Sequence, residues 1–469
     1  EVRKMQSVLA IDLGATSGRA VAYSLVEDKI IANELVRFTN SPIKHRGELC
    51  WNVEHIFQNI ELAIQTAKKS YEMQAVGIDT WGVDFAQIDS QGKLVTPPVC
   101  YRDSRTKGIL NKIAKYSSLD DLYYKTGNQL MEINTLFQLI AAKEKSPESY
   151  FRTHKILMVS DYLNYRLSGE LAIERTIAST TQMLNPLTKE WNHEVLAMFE
   201  VSDLLLPDLV DEGNVLGKTP DGIKVINVCQ HDTASAVAAI PNLEEKTLYI
   251  SCGTWSLIGT ELENPILTEK ALTYNFTNEL GHSRSTRFLK NCTGLWIVEE
   301  LRRDYKEQGQ EFGFDTIRQL VEAVDEDVPI IDTDDSRFAE PGHMIEKIQT
   351  YIVEKGNSKP EEAGQLFKIA YHSLAHKYRE VIGQLEEVVD YNFSYLHLIG
   401  GGSKSTYFSQ LVADVTGKTV VTGLYEATSL GNALVQFKAL GYIKDIVEAK
   451  KIVTNSVNFH YFYPEKEEV

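Results

Sequence analysis

The sequence predicts an α/β protein of two domains with related design, and three observations carry that reading. The chain has 469 residues, too many for one ordinary core. Apolar strands alternate with amphipathic helices in both halves. A hairpin with a turn of Gly, Thr and Ser occurs twice, in "VLAIDLGATSGRAVAYSL" and again in "TLYISCGTWSLIGTE". The division falls near Pro241, giving domains 1–241 and 242–469.

Taken in order, "VLAID" reads as a strand and "RAVAYSL" as its hairpin partner across "LGATSG". Residues 54–69 put Ile56, Ile60, Ala63, Ile64 and Ala67 on one helical face. "AVGIDTWGVDFAQID" reads as a buried strand with an interruption at Thr80-Trp81-Gly82. Residues 110–210 are mainly helical, and the strand "KVINVC" then delivers "QHDTASAVAAIP". In the second half, a long helix over 363–388 places Leu366, Ile369, Leu374, Val381, Leu385 and Val388 near one face. The strand "YLHLIGG" follows, and a helix over 406–416 stops at Gly417. The halves repeat in the order of their elements rather than in their letters.

Charge narrows the partners. Lys and Arg number 48 against 65 for Asp and Glu, a net charge of −17. That sign argues against nucleic acid or an anionic membrane as partner. An anionic small molecule stays admissible, because backbone N–H groups can hold phosphate. The cysteines (Cys50, Cys100, Cys229, Cys252, Cys292) are scattered and form no C-x-x-C pair. Neither a disulfide framework nor a zinc site is expected, and a reducing, cytoplasmic location fits. No apolar run approaches the roughly 18 residues of a membrane helix, and the opening run is too short for a secretory signal.

Several stretches can carry chemistry. Asp232 heads a small-residue helix; it reads as an N-cap, or as a catalytic base at a helix N-terminus. Asp12 ends a strand beside a Gly/Thr turn, where it is placed to hold Mg²⁺ through water. The two hairpins can present backbone N–H groups and the hydroxyls of Thr16, Ser17 and Thr254 to a polyphosphate between them, as phosphoryl transfer requires. Gly400, Gly401 and Gly402 precede a helix and suit an adenine and α-phosphate site. This run lacks the G-x-G-x-x-G fingerprint, which disfavours a Rossmann cofactor. "EGNVLGKTP" resembles a P-loop, yet Glu212 stands where the first glycine is needed and Pro220 opposes the helix, so a surface turn is expected. In "DTWGVD", Trp81 reads as core, while Gly82 in a strand suggests close ligand approach, and Asp79 and Asp84 are costly to bury idly. Asn291 in "RFLKNCTGLW" reads as a sugar contact or as a helix cap.

Together "IDLGATSGR", "GELCWNV", "GIDTWGVDF", "YRDSRT", "CQHDTASAV", "YISCGTWSLIG", "RFLKNCTGLW", "IGGGSKS" and "EATSLGNA" resemble the FGGY family of carbohydrate kinases across essentially the whole chain. The resemblance implies duplicated actin-like, ribonuclease-H-like ATPase domains with an inter-domain cleft that closes over substrate. Domain 1–241 would bind sugar and hold the base, and domain 242–469 would bind nucleotide. The nearest likeness implies transfer of the ATP γ-phosphoryl group to the 1-hydroxyl of L-rhamnulose. Asp232 is then the general base. Trp81, Gly82, His231, Thr233 and Asn291 join it around the sugar. Ala15, Thr16, Ser17, Gly18, Arg19, Thr254 and Gly401 contact ATP, and Asp12 serves Mg²⁺. One departure is Glu299, where a nucleotide-contacting Gln is expected; a carboxylate repels phosphate, so that contact is not carried over. The helix dipole is expected to hold the Asp232 pKa low. Alternatives are a kinase of another ketose or polyol such as L-fuculose or D-xylulose, an actin-like ATPase that is not a sugar kinase, and a sugar-sensing regulator. The partners implied are sugar and ATP, with a monomer or homodimer both open.

Overall fold

The computed structural model describes residues 5–465; residues 1–4 and 466–469, the outer ends of the two expected domains, lie outside the described residues. The chain divides into two compact units. The first runs up to Pro241 and also contains Glu261–Phe288 and Glu426–Val457. The second contains Asn242–Thr260, Leu289–Tyr425 and the chain from Asn458 onward. A single division at 241 therefore assigns two segments to the second half that pack with the first.

The first unit is built on a six-stranded sheet in the order Asn214–Lys218, Lys224–Asn227, Tyr71–Thr80, Met5–Leu13, Ser17–Val26, Lys29–Thr39. Its three middle strands, from Lys224–Asn227 to Met5–Leu13, run parallel. The hairpin partner Ser17–Val26 and its neighbour Lys29–Thr39 are antiparallel. Parallel strands need long crossovers, and the helix Val53–Ser70 provides one. Asn52 caps it by accepting a bond from the His55 N–H, and the face Ile56, Ile60, Ala63, Ile64, Ala67 is buried as the spacing predicts. The expected single strand over 75–89 is instead two, Tyr71–Thr80 and Phe85–Ile88, in different sheets. The P-loop-like stretch is the edge strand Asn214–Lys218, and a turn rather than a helix follows it.

The second unit repeats this frame. Strands Thr419–Thr422, Tyr395–Ile399 and Leu248–Cys252 run parallel, and Leu248–Cys252 turns back into the antiparallel Trp255–Leu262. An antiparallel strand, His460–Phe462, flanks the outer edge, as Asn214–Lys218 does in the first unit. The long helix is Ala363–Val389, opened by a Glu362/Gln365 capping box. Its predicted face is buried from Leu366 to Leu385, and Val388 is half-buried. The helix Thr406–Thr416 ends at Gly417 with φ 70°, a left-handed stop that suits glycine. Among the described residues no helix is long and apolar enough to cross a membrane.

Candidate active site

In the first unit, strand register brings the acidic residues together. Asp12 is paired with Asp79 on the parallel strand and with Arg19 across the hairpin. On the other side of that parallel strand, Thr80 bridges to His231, and its N–H donates to Gln230 O at 2.8 Å. Asp12, Asp79 and Asp232 thus leave the carboxyl ends of three neighbouring parallel strands, the edge where open α/β sheets bind ligands. Arg19 donates to Asp12 Oδ2 at 2.9 and 2.6 Å and also pairs with Glu426. Arg19 is therefore committed to two carboxylates in the protein itself.

Asp79 is fully buried. Its Oδ2 accepts from Asn432 Nδ2 at 2.7 Å, whereas Oδ1 has no donor. Burial, followed by the charge of Asp12, holds its carboxyl well above the usual range. Asn432 comes from the helix Ala427–Ala439, which packs on the helix Asp232–Ala238. Gly431 makes that crossing possible: a Cβ there would lie 1.7 Å from Ser235 O. This accounts for the glycine of "EATSLGNA", a contact across nearly 200 residues of chain.

Asp232 is the first residue of its seven-residue helix, and the cap position belongs to His231. The Asp232 Oδ1 accepts from the Thr233 N–H at 2.7 Å. Its side chain keeps 31% of its exposure. Even so, its pKa is pushed up to about 7, first by desolvation and then by the charge of Asp12. This overturns the low pKa expected from the helix dipole. One short helix is outweighed by a desolvated pocket with a second carboxylate facing it.

Trp81 and Gly82 sit where the strand breaks. Val83 has φ 65°, unusual for a β-branched residue, and Asp84 N bonds Gly82 O at 2.8 Å, closing a γ-turn of the strained kind. Thr180 Oγ1 accepts from Val83 N and Thr135 Oγ1 donates to Val83 O, which hold the turn. The buried Asp84 accepts from Trp51 Nε1 at 2.5 Å, Trp81 Nε1 at 3.0 Å, Tyr101 N at 3.1 Å and Gln138 Nε2 at 2.8 Å. Burial raises its pKa to about 6 against these four donors. The Trp51 and Trp81 rings pack at 4.4 Å between centroids. Trp81 is therefore a buried wall held by Asp84, while Gly82 is half-buried beside it. Trp51, Asp84 and Tyr101 fall in the quoted stretches "GELCWNV", "GIDTWGVDF" and "YRDSRT"; Gln138 carried no local signal.

In the first hairpin turn Thr16 is exposed and Ala15 and Ser17 are half-buried, with Gly14 N bonding Ser17 O at 2.8 Å. Gly18 is buried, and a Cβ there would meet the Phe38 ring at 2.3 Å, so packing requires that glycine.

The second unit gathers the remaining residues. The turn Gly253–Trp255 leaves Thr254 half-buried. The start of helix Trp296–Glu307 braces it: Leu295 N donates to Gly253 O at 2.8 Å, and Gly294 N to Thr254 O at 3.1 Å. A Cβ on Gly294 would lie 2.5 Å from Trp255 C. Gly402 packs beside Cys252, whose Sγ a Cβ would meet at 2.5 Å, and Gly401 is exposed next to it. The glycines enter a 3₁₀ turn, Gly401–Lys404, and the α-helix begins only after the Ser405 cap. Asn291 lies within the strand Thr286–Thr293 and does not cap the following helix, whose cap position is Leu295. Glu299 lies in the first turn of that helix and pairs with Arg302 at 2.9 Å.

Sequence reasoning missed Arg287 and Asn432. Arg287 opens "RFLKNCTGLW" and Asn432 lies in "EATSLGNA", yet neither letter signals the distant partner it meets.

Comparison with known proteins agrees with this geometry. The N-terminal domain model of the FGGY family of carbohydrate kinases matches residues 7–234, and the C-terminal domain model matches residues 248–440. The chain is 38% identical to a rhamnulokinase of Oceanobacillus iheyensis over 97% of this chain and 98% of that protein. It is 37% identical to a rhamnulokinase of Bacillus subtilis, over 97% and 95%. Among solved structures, a ligand-bound xylulose kinase of Lactobacillus acidophilus superposes with a TM-score of 0.79 at 16% identity, covering 98% of this chain and 94% of that one. A Plasmodium falciparum glycerol kinase with ADP gives 0.77 at 14%, with the same coverage. The last two show the fold, duplicated and actin-like. The chain belongs to the FGGY family of carbohydrate kinases, enzymes that phosphorylate a sugar at the expense of ATP.

Proposed function

We propose that this chain transfers the γ-phosphoryl group of ATP to the 1-hydroxyl of L-rhamnulose, with Asp232 as general base. The observation that carries the chemistry is the convergence of Asp12, Asp79 and Asp232 on one sheet edge, with the Asp232 pKa raised to about 7. A base poised near neutrality is partly ionised at the working pH and still has a useful affinity for the proton. Phosphoryl transfer passes through a loose transition state, so orienting the hydroxyl matters more than base strength. Names of the relatives at 36–38% identity support the choice of sugar.

The residue roles are those that the family resemblance implies. His231, Thr233, Gly82 and Asn291 hold the sugar, and Trp81 walls it. Ala15, Thr16 and Ser17 are assigned to ATP, as are Thr254 and Gly401; buried Gly18 supports its turn, and Arg19, expected at ATP, is instead held by Asp12 and Glu426. Half-buried Asp12 and the donorless Oδ1 of fully buried Asp79 would fit a hydrated Mg²⁺, since a buried carboxyl beside a second one calls for a proton or a cation. When bound, that ion supplies charge neutralisation for the polyphosphate. Five free buried cysteines support a cytoplasmic setting.

A coupled assay across L-rhamnulose, L-fuculose and D-xylulose tests the reading. ADP release should depend on sugar and be fastest with L-rhamnulose. Asp232→Asn should stay folded, bind sugar, and lose about 10²–10⁴-fold in kcat. ATP hydrolysis at full rate without sugar would discard the kinase chemistry for this site.

A further inference from the structure

We infer that Arg287 is a positioning residue for the phosphoryl-transfer reaction: it fixes His231 in the neutral form that carries its proton on Nε2, directed at Asp232. The inference rests on the reading of Asp232 as the base.

Arg287 sits on the strand Thr286–Thr293 with no exposed surface. Its Nε donates to Leu280 O at 2.9 Å, and its NH2 group lies 2.9 Å from His231 Nδ1. A guanidinium has donors and no acceptor, so Nδ1 must supply the lone pair. The single proton of a neutral imidazole is then on Nε2. Protonating Nδ1 would set two N–H groups against each other beside a buried positive charge. Burial and the Arg287 charge both hold the His231 pKa well below its ordinary value. On the other side of the ring, Nε2 lies 3.4 Å from Asp232 Oδ1. Catalytic hydrogen bonds of this length commonly tighten once substrate is bound. The backbone fixes the ring's base: His231 N donates to Thr176 Oγ1 at 3.2 Å, and His231 bridges to Thr80.

Stability alone does not account for Arg287. The nearest carboxylate oxygen, Glu279 Oε2, is 3.8 Å from the NH1 group, and neither atom has a hydrogen-bond partner. A buried guanidinium paired this loosely recovers little of its desolvation cost, and apolar groups of similar size often replace such pairs without loss. What an apolar side chain cannot do is donate to Nδ1. The arrangement leaves His231 a donor toward the base and the sugar hydroxyl, never a competing acceptor for the hydroxyl's proton.

The test is ¹⁵N NMR of the histidine rings in the full, ligand-free protein, with His231→Gln to assign the signal, together with kinetics. In the wild type at neutral pH, His231 should show a protonated Nε2 and a bare Nδ1. Arg287→Met should lose that single form, and kcat should fall roughly tenfold or more while KM for ATP holds. Arg287→Lys keeps a donor and should restore the Nε2–H form and part of kcat. A wild-type His231 carrying its proton on Nδ1, or two protons, overturns the inference. So does an Arg287→Met protein that keeps both the Nε2–H form and wild-type kcat. If Arg287→Met fails to fold, the wild-type and Arg287→Lys spectra decide. Failure of the Asp232 reading is separate: it appears as an active Asp232→Asn enzyme, with the His231 signal untouched.

Discussion

The Gly/Thr turn after Leu13 and its counterpart after Cys252 close hairpins on the same strand frame, each with its first strand parallel to the next in the sheet. In the first unit, the rungs nearest the turn pair Leu13 with Gly18 and Asp12 with Arg19. In the second they pair Cys252 with Ser256 and Ser251 with Leu257, without any charge. The first turn faces Asp79 and Asp232, and charge is felt among all three carboxyls. Beneath the second, the Tyr378 hydroxyl lies 2.5 Å from Ser256 Oγ and 3.3 Å from Cys252 Sγ, a neutral and fully buried cluster. Duplication kept the frame and let the side chains diverge. On the proposed reading, proton and metal chemistry falls to the charged copy, and the neutral copy is suited to binding through backbone and hydroxyl donors.

That division of labour can be broken in stages. Asp12→Asn removes the charge of the first turn, and kcat should fall by about 10²-fold or more, because an electrostatic group facing the reacting atoms is lost. Steady-state kinetics with saturating sugar reads this directly, and an unchanged kcat would make the two turns equivalent after all. Gly294→Ala acts on the second turn alone. Its Cβ would press on Trp255 C at 2.5 Å and on Gly253 O at 2.6 Å. KM for ATP should rise roughly tenfold while KM for sugar holds, the cost of moving donors off their positions. A rise in both would mean that the second copy also shapes the sugar site. The smallest effect is expected from Thr16→Val and Thr254→Val, about 0.5–1.5 kcal/mol each in kcat/KM for ATP. Equal losses would say that both copies lend a hydroxyl to the nucleotide.

Much of this frame was legible in short patterns. Both hairpins, the helix Ala363–Val389 and the stop at Gly417 follow from periodicity and turn chemistry over fewer than about 30 residues. Asp12 and Asp232 stood out because each carboxylate interrupts an apolar context. What the letters could not give is assembly at long range. Glu261–Phe288 and Glu426–Val457 return to the first unit through tertiary packing, and they bring Arg287 and Asn432 to the site. The Asp232 pKa failed for the same reason. Its local context, a helix N-terminus, lowers the value, while the groups that raise it arrive from strands far away in sequence. The broken strand at Trp81–Asp84 was marked by Gly82, but the strained turn itself is centred on Val83, held by Thr135 and Thr180.

The central claim is that the charged copy tunes Asp232 into a base that ionises near neutrality, and the carboxyl titration tests it most directly. ¹³C NMR of aspartate-labelled, ligand-free protein, with Asp232→Asn to assign the signal, gives the midpoint. An aspartate whose folded pKa is raised stays protonated as pH climbs past its unfolded value of about 4 and ionises only at the folded pKa. The account predicts a midpoint at about 7 in the wild type and a lower one in Asp12→Asn, which removes the second-largest cause of the shift. A midpoint near the ordinary value of about 4, the same in both proteins, would make Asp232 a plain helix-terminal carboxylate and contradict the account.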